Sequence, residues 1–126
     1  MRIAAKCIRL RQIQADLKQL KKKFPSVEKD LEYAERLLEA GQSLPQTYPY
    51  PGFGEDHSIY KTRVVNTSQR KGKSTGYRLI YEIIEPQDDT VILLILLYGK
   101  TTISDENKVR IEIKTRLRSP DYPKIN

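Results

Sequence analysis

The chain has 126 residues, 38% of them hydrophobic and 31% charged, with a formal net charge of +7 at pH 7. That length suits one compact domain, and its dense apolar segments exclude global disorder. A single cysteine (Cys7) and a single histidine (His57) exclude an internal disulfide and a His/Cys metal cluster, while the cation excess points to a polyanionic partner, nucleic acid foremost.

Residues 1–10 carry Arg2, Lys6 and Arg9 and lack the apolar stretch of a secretory leader. Residues 3–8 read equally as a short strand or as the first turns of a helix. Leu10, Ile13, Leu17, Leu20 and Phe24 then recur at helical spacing, with Arg11, Lys18, Lys21, Lys22 and Lys23 mainly between them. This amphipathic helix is expected to end near Pro25, because a residue before proline is pushed out of the helical region. Ser26 is placed to cap a second helix, with Glu28 and Asp30 in its first turn. Val27, Leu31, Ala34 and Leu38 form its buried stripe, and Gly41 suits a left-handed C-terminal cap. Residues 42–57 hold Pro45, Pro49, Pro51, Gly52 and Gly54 and read as a surface loop, pinned by Tyr48, Tyr50 and Phe53.

Strands are expected over 58–66, 75–85 and 91–98, with a turn at 85–89. Residues 91–97 are apolar on both faces, which suits an interior strand covered on both sides. This longest apolar run falls far short of the roughly 20 residues of a membrane-spanning helix, so a soluble, cytoplasmic protein is expected. Ser104 is placed to cap a last helix bearing Val109, Ile113 and Leu117 on one face, and 119–126 reads as a flexible tail. The sum is an α+β fold over 1–126: two N-terminal helices, an antiparallel sheet of three or four strands and a C-terminal helix.

Residues 58–81 contain Lys61, Arg63, Arg70, Lys71, Lys73 and Arg78 and no acid. Cations so concentrated neutralise phosphates and release their counterions. Alternation puts Ile59, Lys61, Arg63 and Val65 on one strand face. Lys61 and Arg63 are then about 7 Å apart, close to the spacing of successive phosphates. Antiparallel pairing brings Arg78 toward Lys61 or Arg63, with the 70–74 turn over the same face. The bland alternatives are a solvated strand face and an Arg78–Glu82 pair. Gly72-Lys73-Ser74 is no P-loop, since Thr67 stands where its first glycine belongs and a strand follows. His57 and Cys7 are expected to have no chemical role.

Leu20-Lys21-Lys22-Lys23-Phe24-Pro25-Ser26, Tyr60-Lys61-Thr62-Arg63, Lys71-Gly72-Lys73-Ser74, Gly76-Tyr77-Arg78-Leu79-Ile80-Tyr81 and Leu96-Leu97-Tyr98-Gly99-Lys100 occur in that order. As a set they resemble the RelE/ParE superfamily of bacterial toxin–antitoxin toxins, the HigB-like branch above all. The resemblance covers roughly residues 10–113. It implies a RelE-like microbial ribonuclease fold and a type II toxin that cleaves messenger RNA on the ribosome. It implies attack by the ribose 2′-hydroxyl on the neighbouring phosphate, without metal or other cofactor. The implied partners are a cognate antitoxin, the ribosome and messenger RNA, and in that setting Lys21–Lys23 would touch ribosomal RNA.

By matched position, Lys61 and Arg63 would hold and polarise the phosphate, Lys73 is the turn lysine, and Arg78 would stabilise the transition state. Arg70, Lys71, Tyr98 and Lys100 complete the RNA-binding set. Three features depart from the family pattern: Thr101 follows Gly99-Lys100 where the RelE-type branch has Arg, 104–108 lacks that branch's tyrosine, and Thr75 stands where a glycine is common. The general base stays open among Lys61, Lys73 and Tyr98, a lysine in that role needing a lowered pKa. Two other readings keep the fold: a ParE-like toxin that inhibits DNA gyrase, and a catalytically silent binding protein.

Overall fold

The computed structural model describes residues 5–69, 76–85, 89–100, 102–103 and 105–123. Their elements run β1 (Ala5–Arg9), α1 (Ile13–Lys21), α2 (Val27–Glu39), β2 (Tyr48–Pro49), β3 (Ile59–Val64), β4 (Tyr77–Ile84), β5 (Thr90–Tyr98) and α3 (Glu106–Leu117). One sheet holds the strands in the order β1-β5-β4-β3-β2.

The α+β class stands, and the antiparallel sheet of three or four strands is corrected to a mixed sheet of five. The chain opens with a strand, β1, which pairs parallel to β5 from Ala5↔Thr90 to Arg9↔Leu94. This pairing decides between strand and helix for a segment whose local sequence is ambiguous. The Leu10 amide still bonds the Leu94 carbonyl, so α1 starts later than its apolar spacing suggests. At the opposite edge, Tyr48–Pro49 pairs with Lys61 and Tyr60 inside the expected loop. Proline is tolerated there because an edge strand can spare one donor.

Leu10, Ile13, Leu17 and Leu20 are buried, as are Val27, Leu31, Ala34 and Leu38 on α2. Gly41 (φ +80°) ends α2, with its amide on Leu38 and that of Gln42 on Leu37, which satisfies two of the last carbonyls. Ser26 precedes α2 without capping it, because its hydroxyl donates to Asp30 instead. The cap of α3 is Asp105, whose carboxylate accepts the Asn107 amide; Ser104 lies outside the described residues. The helix pair covers the Tyr77 face of the sheet, where Phe24 meets Tyr77 edge-on and Asp30 accepts from its hydroxyl. α3 packs on the other face and reaches β5 through Arg116 and β3 through Glu106.

Interior strand β5 is buried from Ile92 to Tyr98, as expected. Its pairing with β4 jumps from Tyr81↔Leu94 to Ile80↔Leu96, so Ile95 is an inserted residue, a β-bulge. Beyond the bulge β1 has ended, and the exposed edge of β5 is closed by side chains. Arg116 donates to the Ile95 carbonyl and Asp16 accepts the Leu97 amide, while Arg116 and Asp16 pair at 2.7 and 2.8 Å. Burial pushes the Asp16 carboxyl above its ordinary range, against the pull of Arg116. Within the expected tail, the Tyr122 hydroxyl donates to Glu82, and 124–126 lies outside the described residues. Among the described residues, no helix is long and apolar enough to cross a membrane.

Candidate nucleic-acid interface

Strand register brings the site together. Arg63 lies directly opposite Arg78, and Arg78 opposite Tyr98. One row along, Lys61 lies opposite Ile80 on one side and Tyr48 on the other. Directly paired residues share a sheet face, so Lys61, Arg63, Arg78, Tyr98 and Tyr48 all face the same way. The bulge at Ile95 is what gives Tyr98 this orientation. With regular pairing continued from Glu82↔Leu93, Leu97 would stand opposite Arg78.

The start of α3 borders this face. The Lys61 ammonium lies 3.5 Å from a Glu106 carboxylate oxygen, and its side chain is only 14% exposed. It sits 5.3 Å from the Tyr50 ring centre and 6.0 Å from that of Tyr98. Burial first, then Arg78 and Arg110, lowers the Lys61 pKa in spite of Glu106. Burial, with Arg63 adding to it, likewise makes Arg78 less basic than usual, and its guanidinium donates to the Gly76 carbonyl at 2.7 Å. Burial pushes the Tyr98 phenol up to about 12 against the pull of Arg78, so it keeps its proton at neutral pH. Gly76 permits the close approach of the strands here: a Cβ at that position would strike the Val64 carbonyl oxygen.

Arg110 and Tyr50 join the site without having been singled out for it from the sequence. The Arg110 guanidinium lies 4.3 Å from the Tyr50 ring centre and 5.5 Å from that of Phe53, and donates to the Pro51 carbonyl. Tyr50, only 5% exposed, therefore has Lys61 and Arg110 both against its ring. Glu106 and Arg110 are one helical turn apart, and that spacing was the available signal.

Lys100 is exposed beyond the end of β5, in a hollow shared with Phe24, Asn66, Gln69, Gly76 and Tyr77, apart from the Lys61 row. Arg70, Lys71 and Lys73 lie outside the described residues. Glu82 accepts from Tyr122 at 2.7 Å and lies 2.7 Å from His57 Nδ1. His57 therefore helps to anchor a buried carboxylate. Burial, helped by Glu39 and Glu35, pushes the Cys7 thiol up to about 12, the reverse of what a nucleophile needs.

Two opposed guanidinium groups, a desolvated lysine and a protonated phenol on one face have the means to grip a phosphodiester and exchange protons with it. Comparison with protein-family models, with curated proteins and with solved structures finds no significant match.

Proposed function

We propose that the protein is an RNA endonuclease of the RelE/HigB-like kind, a toxin that cuts messenger RNA on the ribosome through attack by the 2′-hydroxyl. The observation that carries this reading is the Arg63–Arg78 cross-strand pair beside Lys61 and Tyr98. Like charges directly opposite one another on a sheet are destabilising, and an anion held between them relieves that cost.

In the proposed reaction Lys61, acting from its amine form, takes the proton from the 2′-hydroxyl. The 2′-oxygen bonds to phosphorus, and Arg63 and Arg78 stabilise the added negative charge of the phosphorane. The bond from phosphorus to the 5′-oxygen then breaks, and the Tyr98 hydroxyl donates its proton to the leaving oxygen. The products are a 2′,3′-cyclic phosphate and a free 5′-hydroxyl. The lowered pKa of Lys61 and the raised pKa of Tyr98 act in the directions these roles require.

Induced expression should arrest growth, and primer extension should map cuts within translated codons. Arg78→Ala should keep the fold by circular dichroism and lose on the order of 100-fold in cleavage rate. Full toxicity of a folded Arg78→Ala protein, or DNA damage with intact messages, would sink the nuclease reading. The second of these results would favour gyrase inhibition.

A further inference from the structure

Tyr48 has a place on this face that the cleavage chemistry does not use. The residue is 46% exposed, whereas Tyr50, two residues on, is buried. Exposure of one aromatic side chain means little by itself; its position and support are what matter here. Tyr48 is directly opposite Lys61, which sets it diagonal to Arg63, within reach of a large side chain. It stands on β2, the last strand of the sheet, so no further described strand covers its outer side.

The backbone beneath the ring is held firmly. The Tyr50 amide bonds the Ile59 carbonyl at 2.8 Å, and the Arg63 amide bonds the Pro45 carbonyl at 3.2 Å. The Thr47 hydroxyl lies 2.7 Å from that of the buried Thr62. Pro49 fixes its own φ and holds the backbone of Tyr48 before it in the extended region. A ring on so fixed a support loses little conformational freedom when something stacks on it.

Diagonal neighbours on paired strands lie about 7–8 Å apart. The ring thus stands from Arg63 at a distance that, to first order, matches the offset between a nucleotide's phosphate and its base. We propose that Tyr48 is the platform on which the base beside the bound phosphate stacks, so that this face takes single-stranded RNA. A base is free to lie on a side chain in this way only when it is unpaired. Tyr48 is thus a positioning residue, and its role rests on the RNA-cleavage reading of the same face.

The test uses binding, so it does not depend on turnover. A labelled RNA hexamer 2′-O-methylated at every position cannot undergo 2′-attack, and a matched hexamer carries one abasic site, moved along the strand. Tyr48→Ala should weaken binding of the intact hexamer about tenfold, and Tyr48→Phe should bind like the wild type. With the abasic site at the stacking position, wild type and Tyr48→Ala should bind alike. Unchanged melting of both variants would show that the fold is intact. Equal binding of the intact hexamer by wild type and Tyr48→Ala would overturn the proposal. So would an equal loss in Tyr48→Phe, or a loss that no abasic site removes. If Tyr48-dependent binding appears and ribosome-associated cleavage does not, the stacking role stands and the nuclease reading falls.

Discussion

Burial and the guanidinium groups of Arg78 and Arg110 all disfavour the charged form of Lys61. A lysine whose folded-state pKa is depressed carries a stability cost that is complete below that pKa. The cost disappears as the pH rises toward the ordinary value of 10.5. Lys61→Met is therefore expected to melt at a higher temperature than the wild type near neutrality while losing cleavage. The gap in melting temperature should narrow as the pH is raised through the alkaline range. A variant that melts lower at neutral pH would mean that the Glu106 contact outweighs burial. Such a trade of stability for activity is common where a site must hold a strained charge. Lys61 and Arg63 were legible as a pair because strand alternation is local. Arg78 followed from the hairpin they begin. Arg110 was not legible as a site residue, since it reaches Tyr50 from a helix that only tertiary packing sets beside β3.

Among the elements, α2 was the most legible, because its stripe and terminal glycine are local signals that packing does not override. β1 and β2 were not, because each is defined by its pairing with another strand and not by a pattern of its own. The bulge in β5 left no trace, since 91–98 is apolar throughout and has no period to break. The edge closure by Asp16 and Arg116 was equally silent, the two residues being far apart in the chain. Their side chains are 9% and 8% exposed. Arg116→Met leaves Asp16 buried without its partner and the Ile95 carbonyl without its donor. This should cost about 3 kcal/mol in urea unfolding. Asp16→Ala combined with Arg116→Met should cost less than the two single changes added together, because the pair couples directly. Simple additivity would show that the two act separately.

For the whole molecule, the excess positive charge predicts that the proposed binding of RNA weakens as salt is added. On single strands each neutralised phosphate adds about 0.7 to the steepness of log K against log salt. Arg63 and Arg78, gripping one phosphate between them, then give a slope of about −0.7, and further contacts make it steeper. Arg78→Ala should flatten the wild-type slope by at most about 0.7. A slope near zero for the wild type would remove the face from consideration as a phosphate site.

The inserted Ile95 makes the last residues of β5 run half a period out of step with its beginning. A one-residue deletion between Leu94 and Tyr98 would remove the bulge and still leave the phenol opposite Arg78. Flattening the bulge at unchanged length would instead set Leu97 against the guanidinium groups and turn the phenol toward the helix pair. The site thus tolerates a shorter strand better than a straightened one.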